Sequence, residues 1–124
     1  MSQSILVVDD SRTILLSLRN ILTKQGYVTR TAIGGTEALG CLDEGFTPDL
    51  IITDLHMPGM SGIDLIEALR ERSDARFTPI LMLTTETGMA KREEAKKAGA
   101  TGWLVKPVRP RRLVDILKRV MPPG

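Results

Sequence analysis

The sequence predicts an α/β fold, a parallel five-stranded sheet with helices on both faces. Two observations carry that expectation. Short apolar runs recur along the chain, and each stops at a polar or turn residue, as strands buried on both faces do. Between them lie segments whose apolar residues repeat at helical spacing. Five such strands alternate with five helices, which implies right-handed crossovers within one sheet. The stretch Asp49 to Gly62 shows the pattern most plainly. Leu50 to Thr53 is apolar or β-branched and runs into a lone carboxylate, Asp54. Met57-Pro58-Gly59 then breaks the run with turn chemistry. Asp54 is therefore expected at the carboxyl end of a central strand, the edge where open α/β sheets bind ligands.

Taken in order, Ser4 to Asp9 reads as the first buried strand. Ile14, Leu15, Leu18, Ile21 and Leu22 mark a helix, with Asp10 or Ser11 as its N-cap and Gly26 closing it. Tyr27 to Ile33 is a strand with polar interruptions, suited to a sheet edge. Gly34-Gly35 turns the chain, and Ala38, Leu39 and Leu42 mark a short helix ending near Gly45. After Asp54, Ser61-Gly-Ile-Asp64 resembles a capping box with Asp in place of Glu, opening a helix with Ile63, Ile66 and Leu69 inward. Pro79 to Thr84 is the fourth strand. The helix from about Met89 to Ala98 is dense in charge and holds mostly alanine inward, so it should be loosely held. Thr101 to Val105 is the fifth strand. Pro110 opens a last helix with Leu113, Ile116, Leu117 and Val120 on one face. Pro122-Pro123-Gly124 reads as an unstructured tail.

At 124 residues the chain reads as one domain, 1–124, with a core large enough to need no disulfide. Cys41 is the sole cysteine, placed on a helix as packing, and this usage suits a reducing cytoplasm. No apolar run approaches the ~20 residues of a membrane span, and the amino terminus lacks a secretory signal. The net charge of +2 conceals an asymmetry. Residues 1–90 carry 7 Lys/Arg against 12 Asp/Glu, whereas residues 91–124 carry 10 against 3. The last third therefore supplies either ordinary solvated helix faces or a basic surface for an acidic partner. Nucleic acid is an unfavoured partner, because no DNA- or RNA-binding motif is present.

Polar residues stand at the carboxyl ends of four strands: Asp9 and Asp10, Asp54, Thr84 and Thr85, and Lys106. In a parallel sheet those ends share one edge. Two like charges ~4 Å apart repel by about 4 kcal/mol at an effective dielectric near 20. Three carboxylates with one ammonium therefore call for a cation, and oxygen ligands favour Mg²⁺.

On these residues, together with Met57-Pro58-Gly59 and Lys106-Pro107, the sequence resembles the receiver domains of two-component response regulators. The segment Thr101 to Pro107, TGWLVKP, resembles the single-domain CheY-like regulators of chemotaxis most. The resemblance implies a flavodoxin-like, doubly wound sheet of order 2-1-3-4-5. It implies that Asp54 accepts a phosphoryl group from a sensor histidine kinase, catalysing its own phosphorylation and dephosphorylation rather than acting as an enzyme in the usual sense. Asp10, Asp54 and the backbone carbonyl of His56 would bind Mg²⁺ directly, with Asp9 helping through water. Lys106 would neutralise the transferring phosphoryl oxygens. Thr84 would be the switch hydroxyl and Trp103 the aromatic that responds to it, standing where the family usually has Tyr or Phe. His56 and Glu86 would tune phosphoryl lifetime. Lys106-Pro107 matches a pair whose peptide bond is typically cis. The output would be a downstream protein, such as a flagellar motor switch, bound by the last two helices and the strand between them.

Other readings compete. A haloacid dehalogenase-type phosphatase also uses an aspartyl nucleophile, but wants a second Asp two residues on, where this chain has His56. A nucleotide-binding domain needs a glycine-rich phosphate loop, and Asp9-Asp10-Ser11 is not one. The chain could also be a receiver taken from a longer regulator, or a phosphate sink.

Overall fold

A computed structural model describes residues 2–121; the expected tail lies outside them. The elements alternate as β1 (Ser4–Val8), α1 (Arg12–Lys24), β2 (Val28–Ala32), α2 (Gly35–Asp43), β3 (Leu50–Thr53), α3 (Gly62–Glu71), β4 (Ile80–Thr84), α4 (Met89–Ala98), β5 (Gly102–Val105) and α5 (Pro110–Val120). All strand pairs are parallel, in the order β2-β1-β3-β4-β5. This is the doubly wound, flavodoxin-like topology. β2 lies at an edge, as its polar interruptions require.

The central strands β3 and β4 are buried at every residue, which explains their unbroken apolar runs. Alternate strand side chains divide the core in two. Ile5, Val7, Leu50, Ile52, Leu81 and Leu83 meet Leu15, Leu18 and Leu22 of α1 and Leu113 and Leu117 of α5. Leu6, Val8, Ile51, Ile80 and Met82 meet α2, α3 and Ala95 of α4 on the other face. Cys41 is buried in this second layer, and burial pushes its thiol pKa up, as befits an inert packing residue.

Local chemistry sets the helix ends. Ser11, not Asp10, caps α1, accepting from the Ile14 amide at 3.4 Å. Asp10 is thereby left at the rim. α1 ends as expected: Gly26 takes φ +90°, and the Tyr27 amide donates back to the Leu22 carbonyl. In α3 the capping box closes with aspartate, both reciprocal bonds being 3.1 Å. On α5 the inward face is narrower than its periodicity suggests. Leu113 and Leu117 are buried, whereas Ile116 and Val120 remain half-buried at its margin.

α4 differs from its neighbours. Ala95 is its one buried residue, and no side chain caps its amino end at Gly88. A buried Leu or Ile contributes about 1.5–3 kcal/mol relative to exposure. With alanine in that role, α4 is held by far less apolar burial than α5.

Candidate functional site

Strand register assembles the site. Val8 pairs with Thr53 across β1 and β3, so Asp9 and Asp54 emerge side by side one residue later. Thr84 pairs with Val105, so Lys106 emerges beside the end of β4. Asp9, Asp10 and Asp54 offer carboxylate oxygens that lie within 4.8 Å of one another.

The three carboxylates have unequal surroundings. Asp9 is 2% exposed; it accepts from the Ser11 amide at 2.9 Å and from Lys106 Nζ at 2.7 Å. Asp54 accepts from the Leu55 amide at 2.7 Å and from Lys106 Nζ at 3.3 Å. Asp10 is exposed. Burial alone would lower the Lys106 pKa, but the Asp9 hydrogen bond and the charges of Asp54 and Asp9 outweigh it and raise the value. The ammonium thus stays charged. Three carboxylates and one ammonium leave two negative charges, which a divalent cation balances. Every side-chain donor is oxygen, which fits Mg²⁺.

Thr84 is fully buried at the end of β4. Its hydroxyl accepts from the Glu86 amide at 3.3 Å. Glu86 then reaches in two directions, accepting from the Gly88 amide at 3.1 Å and meeting His56 Nε2 at 3.3 Å. These contacts, the Gly88 amide first, hold the Glu86 carboxyl below its usual range. The His56 ring is therefore turned to Glu86 and solvent. Trp103 is half-buried and packs against the α2–α4 layer, lining a groove of about 270 Å³ with Arg92, Glu93, Ala95 and Lys96 of α4. The Lys106-Pro107 bond is cis. Asp9, Asp10, Asp54 and Lys106 thus converge directly, Thr84, Glu86 and His56 form a second chain beside them, and Trp103 stands off against α4.

Two contributors were not singled out in the sequence. The Leu55 amide orients the Asp54 carboxylate. Gly62 lets α3 start directly against the end of β3. A Cβ there would run into the Asp54 carbonyl oxygen and come within 2.9 Å of Leu55 Cα. Only glycine permits that approach, and the Gly62 amide uses it to donate to the Leu55 carbonyl at 2.8 Å. The glycine after a capping serine was the available signal.

Fold and cleft together define an open, doubly wound α/β domain with an acidic, oxygen-donor site at its carboxyl edge. The chain belongs to the response regulator receiver domain family, whose sequence profile matches residues 5–118. It is a CheY-like receiver, in keeping with two-component signalling. It is 40% identical over 118 residues to the chemotaxis protein CheY1 of Helicobacter pylori, covering 94% of this chain and 95% of that one. The structure of CheY4 from Vibrio cholerae is similar, with 45% identity, a TM-score of 0.92, and coverage of 97% of this chain and 99% of that chain. So is the receiver domain of a sensor histidine kinase from Pseudomonas aeruginosa, with 27% identity and a TM-score of 0.88 over 98% of both chains. That protein has a magnesium ion coordinated in its active site cleft.

Proposed function

We propose that residues 1–124 form a phosphorylation-activated switch in which Asp54 takes a phosphoryl group from a phosphohistidine on a sensor histidine kinase. The observation that carries this reading is the convergence of Asp9, Asp10, Asp54 and Lys106 at one sheet edge. An Asp54 oxygen attacks phosphorus, a P–O bond forms, and the P–N bond to the kinase imidazole breaks. The Leu55 amide holds the carboxylate in one orientation for that attack. Lys106, charged and already within 3.3 Å of Asp54, neutralises the phosphoryl oxygens. Asp10, Asp54 and the His56 carbonyl would hold Mg²⁺ directly, with Asp9 acting through water. The metal would supply positive charge to the same oxygens.

Output follows from the second chain of contacts. The buried Thr84 hydroxyl is drawn toward the phosphoryl group, leaving the Glu86 amide and freeing the start of α4 to shift. Trp103 responds, and the face formed by α4, β5 and α5 presents a new surface to a protein partner. Lys91 and Lys97 on α4, Arg109 just before α5 and Arg112 on α5 are exposed, and they steer an acidic target segment. The chemotaxis relatives favour a flagellar motor switch as that target, and a cytoplasmic setting. Among the described residues no helix is long and apolar enough to cross a membrane.

Beryllofluoride with Mg²⁺, a mimic of the phosphoryl group, tests this reading. Trp103 is the only tryptophan, so its emission should change on addition in wild type and stay constant in Asp54→Asn. Silence in both proteins would make Trp103 a fixed plug and move the output elsewhere.

The His56–Glu86 contact bears on phosphoryl lifetime. Both residues flank the approach of a hydrolytic water to Asp54, so His56→Ala and Glu86→Ala should each change the dephosphorylation rate. Because the pair is in contact, the double mutant should depart from additivity. Lifetimes unchanged in all three variants would remove these residues from the water path.

A further inference from the structure

α4 is held unequally at its two ends. Among the described residues its amino end has one hydrogen bond to the switch region, from the Gly88 amide to Glu86. Its carboxyl end is gripped by a single side chain from α3. Arg70 Nε and Nη2 donate to the Gly99 carbonyl at 3.1 and 2.8 Å. Its Nη1 donates to the carbonyls of Thr78 (2.7 Å), Ala75 (3.0 Å) and Arg76 (3.1 Å) in the loop before β4. Gly99, in the left-handed region at φ +118°, lies directly under the guanidinium stem. A Cβ there would fall 2.8 Å from Arg70 Nε. The chain then locks into the sheet, with the Thr101 amide on the Ile80 carbonyl at 2.7 Å and the Thr101 hydroxyl accepting from the Ile80 amide at 2.9 Å.

The partners of Arg70 are all neutral carbonyls; among the described residues it has no ion pair. A fork of fixed donors that meets carbonyls from two segments acts as a rigid joint. We propose that Arg70 is the positioning residue of α4. It pins the carboxyl end at Gly99, so that activation swings the amino end about that point rather than sliding the helix bodily. Geometry supports the direction of swing. The weakly held end is the one next to Thr84 and Glu86, and among the described residues the pinned end makes no hydrogen bond to either. The helix between needs little energy to tilt, because Ala95 is its one buried side chain.

Hydrogen exchange of backbone amides, with and without beryllofluoride and Mg²⁺, tests the pin. The swing rests on the reading of Asp54 as phosphoacceptor, but the ligand-free comparison does not. In wild type the ligand should alter exchange at residues 88–93 and leave 97–101 unchanged. Ligand-free Arg70→Met should exchange at least about tenfold faster at 97–101, the scale expected for losing charge-assisted hydrogen bonds. With the ligand, its changes should spread through the whole helix. Arg70→Lys keeps the charge without the fork and should behave as Arg70→Met; it carries the test if the methionine variant does not fold. Arg72→Met is the control. Arg72 bonds Asp43 and Asp74 and, among the described residues, makes no side-chain hydrogen bond or ion pair to α4, so its loss should leave 97–101 as in wild type. Equal exchange at 97–101 in wild type and the Arg70 variants, or equal acceleration in Arg72→Met, would overturn the pivot. A wild type silent to the ligand, with the Arg70 effect intact, would instead sink the phosphoacceptor reading and keep the pin.

Discussion

Incubated with acetyl phosphate and Mg²⁺, the wild-type protein is expected to gain one acid-stable, alkali-labile phosphoryl group, and Asp54→Asn none. The contrast should be all-or-none, because the substitution removes the proposed nucleophile and little else. Asparagine has the same shape, and its carbonyl oxygen can still accept from the Leu55 amide that meets Asp54 at 2.7 Å. Lys106 retains its shorter bond to Asp9, at 2.7 Å, so the ammonium is not orphaned. Asp9 and Asp10 are still present, but neither matches the motif position of the acceptor, and Asp9 is sequestered by two donors. Intact mass before and after alkali treatment reads the result. Labelling of Asp54→Asn at wild-type stoichiometry would place the acceptor elsewhere in the chain.

Much of this arrangement is legible in the sequence, and for identifiable reasons. β3 and β4 are buried on both faces, so their apolar runs carry no competing signal. The residues after each run then had to share an edge, which is why Asp9, Asp54, Thr84 and Lys106 could be grouped. Boundaries were less legible. The first strand stops at Val8, although the Asp9 amide still donates to the Ala32 carbonyl, and the Asp9 carboxylate turns to the Ser11 amide. Contacts between loops were hidden altogether. His56 and Glu86 each lie two residues past a site residue, but their meeting depends on the paths of two loops thirty positions apart. Arg70 was invisible for a different reason. Its partners are backbone carbonyls, which leave no trace in residue identity. The charge-dense α4 was readable as loosely packed from its alanines, whereas what anchors it was not.

Asp10→Ala is expected to lose Mg²⁺ binding almost selectively, because the three carboxylates are not equivalent. Asp9 already meets two donors, Ser11 and Lys106, and Asp54 two, Leu55 and Lys106. Asp10 is exposed and has no hydrogen bond or ion pair among the described residues, so its oxygens can meet a cation without giving up a protein partner. Outer partners of metal ligands are commonly worth about 10–100-fold in affinity, and a direct anionic ligand should be worth at least the upper figure, about 100-fold. Stability should move the opposite way. Without metal, the variant removes one of three clustered negative charges and breaks no bond, so its Tm should rise slightly above that of wild type. With millimolar Mg²⁺ the order should reverse, because only wild type gains stability from binding to the folded state. Calorimetric titration and thermal melts with and without EDTA separate the two effects. If Asp10→Ala binds Mg²⁺ as tightly as wild type, Asp10 is no ligand and the proposed ligand set is wrong.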